Sequence, residues 1–167
     1  MAVYLGIAVA LVGTLLQSTV LRDYAVAGVH PDLVLVAVIG WAALRNVEDG
    51  LVWAAIGGVT LDLFSAGPFG LSVLGLTAAA LVAWAIGHRV RALNQPLVLV
   101  AVPVAVLVHY VVEAIGLTFA GAPLQPIALA QAVLGPALLV DTAAGPFVLV
   151  ALAWLSHAIT PAPWSPR

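Results

Sequence analysis

Three carboxylates, Asp62, Glu113 and Asp141, interrupt otherwise apolar stretches of this chain, and His109 stands four residues before Glu113. On a helix that spacing puts imidazole and carboxylate on one face. Such groups move protons, bind cations or pair with one another, so chemistry is sought here first. The patterns of specific chemistries are incomplete. Zinc takes three or four ligands and a metalloprotease helix reads His-Glu-x-x-His, whereas His-x-x-x-Glu offers two. Ser18, Ser65 and Ser72 belong to no nucleophile elbow. Gly57-Gly58 lacks the lysine and spacing of a phosphate loop, and cysteine is absent. No catalytic residue, metal site or cofactor is assigned.

The chain that must position these groups has 167 residues, 64% hydrophobic and 7% charged, with mean hydropathy +1.20. Soluble domains carry about 25% charged residues, so a soluble globular enzyme is all but excluded. Disorder needs low hydrophobicity and nucleic-acid binding needs a basic stripe, and neither is present. A net charge of -2 supplies no polybasic patch for anionic lipid.

A bilayer-crossing helix takes about 20 apolar residues. The apolar runs predict six spans, over residues 3–21, 32–44, 50–66, 70–87, 96–120 and 130–157. The second is short. The sixth is overlong and interrupted at Gly135-Pro136 and Gly145-Pro146, which predicts a short interfacial helix before a span from about Pro136. The expected fold is all-α: a six-span transmembrane bundle in a single domain, residues 1–167. With both termini cytoplasmic, Arg45, Arg89, Arg91 and Arg167 stay inside and Arg22 alone lies outside, as positive charge requires. Trp41, Trp53, Trp84 and Trp154 then fall near inner span ends, with Trp164 just beyond, as in an aromatic belt. His88 and His157 read as interface residues there. Ala25-Val26-Ala27 resembles a leader cleavage site, but Met1-Ala2-Val3-Tyr4 has no basic start, so no removed leader is expected.

In this topology Asp62, His109, Glu113 and Asp141 occupy the outer half of the membrane, with Arg22, Asp23, His30 and Asp32 at its rim. Two readings stay open. Arg22, Asp32, Asp62, His109, Glu113 and Asp141 line an outward polar cavity for an ion, a small ligand or a headgroup, or they are polar glue between helices. The outer half is poor in the aromatics that a vitamin-sized pocket uses: Tyr24, Phe64, Phe69, Tyr110 and Phe119. The first span adds a ridge of small residues, Ala2, Gly6, Ala10, Thr14 and Ser18. Small ridges let helices approach closely, so this one is either a docking face for a partner's membrane helix or an internal packing face.

Residues 31–71 carry a denser pattern: Pro31-Asp32-Leu33-Val34-Leu35-Val36, then Leu44-Arg45, Glu48-Asp49-Gly50, and Leu61-Asp62-Leu63-Phe64-Ser65-Ala66-Gly67-Pro68-Phe69-Gly70-Leu71. This resembles the rod shape-determining protein MreD family. That family shows Pro-Asp opening the second span, Arg before an acidic turn and Gly, and Leu-Asp-x-x-Ser-x-x-Pro-x-Gly closing the third. Asp141 departs from the family, which often has Asn there. The resemblance implies a non-catalytic scaffold of the bacterial elongation machinery in the cytoplasmic membrane. It would bind an MreC-like protein and help to position peptidoglycan synthesis, alongside the actin-like MreB, the glycosyltransferase RodA, a class B penicillin-binding protein and membrane lipid. It also implies a bundle like the substrate-binding subunits of energy-coupling factor transporters. The outer carboxylates keep a small-ligand or lipid-binding transporter subunit as the alternative, and an intramembrane enzyme as a third reading.

The motif residues carry local expectations of their own. Pro31 fits a first helical turn and Asp32 the positive end of the helix dipole. Residues 62–70 form a tight turn, with Ser65 capping the carbonyls of the third span. Arg45 faces Glu48 or Asp49.

Overall fold

The computed structural model describes residues 2–19, 30–65, 67–91, 100–121 and 134–159. Among them are six helices: α1 (Ala2–Thr19), α2 (Leu33–Leu44), α3 (Val47–Phe64), α4 (Leu71–Arg91), α5 (Ala101–Phe119) and α6 (Gly135–Ile159). Their ends follow from local chemistry. Asp32 caps α2, its side chain accepting the Leu35 N–H, so Pro31 lies one residue before the cap rather than in the first turn. α3 begins three residues earlier than the apolar run suggested, because Glu48 and Asp49 in its first turn favour the positive end of a helix. Gly70, at φ 93°, makes the left-handed bend that starts α4.

The sixth predicted span begins where the Gly135-Pro136 break placed it, but the expected interruption at Gly145-Pro146 does not end it. α6 runs unbroken from Gly135 to Ile159 with Pro146 inside it. Pro136 falls in the first turn, where a missing N–H costs nothing. Pro146 removes one backbone bond without ending the helix. The interfacial helix expected before Pro136 lies outside the described residues.

Among the described residues, three helices contain stretches long and apolar enough to cross a bilayer: α4 over Leu71–Arg89, α5 over Ala101–Phe119 and α6 over Gly135–Leu152. α2 is different. Its 12 residues reach about 18 Å at ~1.5 Å per residue, against a hydrocarbon core of about 30 Å. It touches each of the other five helices, and every residue from 34 to 43 is buried. A helix enclosed on all sides has no polar face to display, which explains why it carries no polar side chain from Leu33 to Leu44.

Glycines let the other helices close around it. A Cβ at Gly50 would stand 2.7 Å from the Ala42 Cβ, and one at Gly58 would meet the Val73 backbone. At one end of the bundle the C-termini of α1 and α3 meet the N-termini of α2, α4 and α6, joined by polar contacts described below. Toward the other end, Trp41 and Trp53 stack with centroids 4.3 Å apart and planes 4° from parallel. Both indoles are 2% exposed, so these two belong to the core and not to an aromatic belt. Trp154, 74% exposed, keeps a belt-like position. The Arg45 guanidinium lies over the Trp41 ring, 5.3 Å from its centroid.

Candidate functional site

The polar end is built from carboxylates that hold backbone donors. Asp62, in the last turn of α3, is buried, and its two oxygens accept the N–H groups of Gly70 (2.8 Å) and Ser72 (3.0 Å). A helix N-terminus leaves its first N–H groups without internal partners. Here the preceding helix supplies the acceptor across the turn, and its negative charge suits the helix dipole. Ser65 stands at the C-cap position of α3, and its Oγ accepts the Gly67 N–H at 3.0 Å and so shapes the turn.

Asp32 and Asp141 form the second cluster. Asp32 Oδ1 accepts the Leu35 N–H at 2.9 Å and the Gln17 amide at 2.9 Å, while the same amide reaches the Pro31 carbonyl at 3.2 Å. Asp141, fully buried on α6, accepts the Asp32 backbone N–H on Oδ1 at 2.7 Å and the Tyr110 hydroxyl on Oδ2 at 3.2 Å. One network thus ties α1, α2, α5 and α6 together. Both Asp141 oxygens act as acceptors. An Asn has one acceptor oxygen, so the carboxylate here does what the amide cannot do alone.

His109 and Glu113 form the third group, on α5. His109 Nε2 stands 3.4 Å from Glu113 Oε1. The imidazole is 1% exposed and packs edge-on to Tyr110. Among the described residues its Nδ1 has no hydrogen-bond partner, and it faces Gly75 of α4, where a Cβ would come within 2.7 Å.

The structure therefore brings Asp32, Asp62, His109, Glu113 and Asp141 to one end of the bundle; Arg22 lies outside the described residues. Among the described residues no three His, Asp or Glu side chains converge as metal ligands. Sequence reading missed Gln17, and it placed Tyr110 only among the outer aromatics, without its hydrogen bond to Asp141. The available signals were a lone amide near the end of an apolar helix and a hydroxyl beside a candidate imidazole.

The small ridge of α1 turns inward. Gly6, Ala10 and Thr14 are buried, and a Cβ at Gly6 would stand 3.0 Å from the Trp53 indole. α1 lies along α3, so in this bundle the chain itself occupies that part of the proposed docking face. The side chains of Ala2 and Ser18 lie outside what is described. The opposite side of α1 exposes Tyr4, Ile7, Leu11, Val12 and Leu15.

The family model described as rod shape-determining protein MreD matches residues 1–154. This chain belongs to the MreD family. No curated protein and no solved structure matches it. The match takes in every helix from α1 to α5 and most of α6, hence all the carboxylates above. In this MreD-family chain, Asp32 of the Pro31-Asp32 pair is the cap of the central helix. Leu61-Asp62 through Gly70 is a turn whose acid closes the next helix. Family membership gives the chain a role in determining rod shape, and the apolar helices make it a membrane protein.

Proposed function

We propose that the protein is a non-catalytic, six-span scaffold of the cell-elongation machinery in the bacterial cytoplasmic membrane, with both termini cytoplasmic. It binds an MreC-like protein and helps to position peptidoglycan synthesis. MreB, RodA, a class B penicillin-binding protein and membrane lipid are its wider company. A bundle of the kind found in the substrate-binding subunits of energy-coupling factor transporters belongs to the same proposal.

One observation carries the scaffold reading over the transporter reading. The buried acids Asp62 and Asp141, with Asp32, spend their oxygens on backbone N–H groups and on side chains of neighbouring helices. Groups engaged in this way hold the bundle together and leave little to offer a solute.

The test is affinity purification in mild detergent after co-expression with an MreC-like protein, with mass spectrometry of everything retained. The expected result is the partner in constant ratio and no small molecule. A stoichiometric vitamin-sized compound, retained without the partner, would replace the scaffold with a ligand-binding subunit.

A further inference from the structure

We draw no further inference here: the strongest candidate, the apolar groove between α1 and α6 floored by α2 and lined by Val12, Gly13, Leu16, Ala37, Leu152 and Leu155, carries nothing because nothing in the structure shows what covers it.

Discussion

At the residue scale, an ionisable group inside an apolar helix is costly unless its polar atoms find partners. Asp62 finds the open N-terminus of α4. Asp62→Ala removes both acceptors and should destabilise the protein by about 1–2 kcal/mol, the range of a lost helix cap. Asp62→Asn keeps one acceptor and should fall between the two. Thermal unfolding in detergent measures this, and an Asp62→Ala protein as stable as the parent would remove the capping role. Asp141 calls for a double-mutant cycle with Tyr110. Tyr110→Phe alone should cost about 0.6 kcal/mol, typical of a hydrogen bond between membrane helices. Asp141→Leu should cost more, since it also strands the half-buried Asp32 N–H. In the Asp141→Leu background Tyr110→Phe should cost nothing further. Strict additivity would mean that the Tyr110–Asp141 contact contributes no coupling.

At the element scale, close approach at glycine decides which helices touch. Gly6 seats the Trp53 indole, and Gly58 admits the Val73 backbone. Gly6→Leu should lower the unfolding temperature whether or not a partner is present, because the added side chain meets Trp53 within the chain. A Gly6→Leu protein of undiminished stability that loses only its partner would return the ridge to the role of a docking face. Gly58→Leu should be worse, since the obstacle is backbone and cannot change rotamer. Crosslinking between cysteines placed on facing turns of α3 and α4 should weaken in that variant and survive in Gly67→Ala, where the nearest atom is the exposed Ser65 hydroxyl. Much of this level was legible beforehand. The ridge of α1, the acid at the start of α2 and the turn at residues 62–70 all stand in the sequence as local patterns. What they would touch did not, because Gly57-Gly58 reads the same whether it faces lipid or a neighbouring backbone.

At the scale of the molecule, α2 organises the bundle. It is short, buried along its length and in contact with every other described helix, and its N-terminus is where α1, α5 and α6 are tied in. Orientation in the membrane rests on the arginines. The chain has no cysteine, so single introduced cysteines report cleanly. Gly67→Cys should react with an impermeant thiol reagent in intact cells, and Arg89→Cys only after permeabilisation. The reverse pattern would invert the topology and place the carboxylate end in the cytoplasm.

The sequence by itself determined the solvent and the secondary structure. With 7% charged residues the chain has too little polar surface for water, and in lipid its backbone must satisfy itself within helices. It also marked Asp32, Asp62, His109, Glu113 and Asp141 as out of place, since an acid in an apolar run is visible without any fold. Only the tertiary structure decided what they do. An acid separated by 109 residues from the N–H it accepts leaves no spacing to read, and a tryptophan near a span end looks alike in a belt and in a core. Those choices are made by which faces meet, and that depends on the packing of all the helices at once.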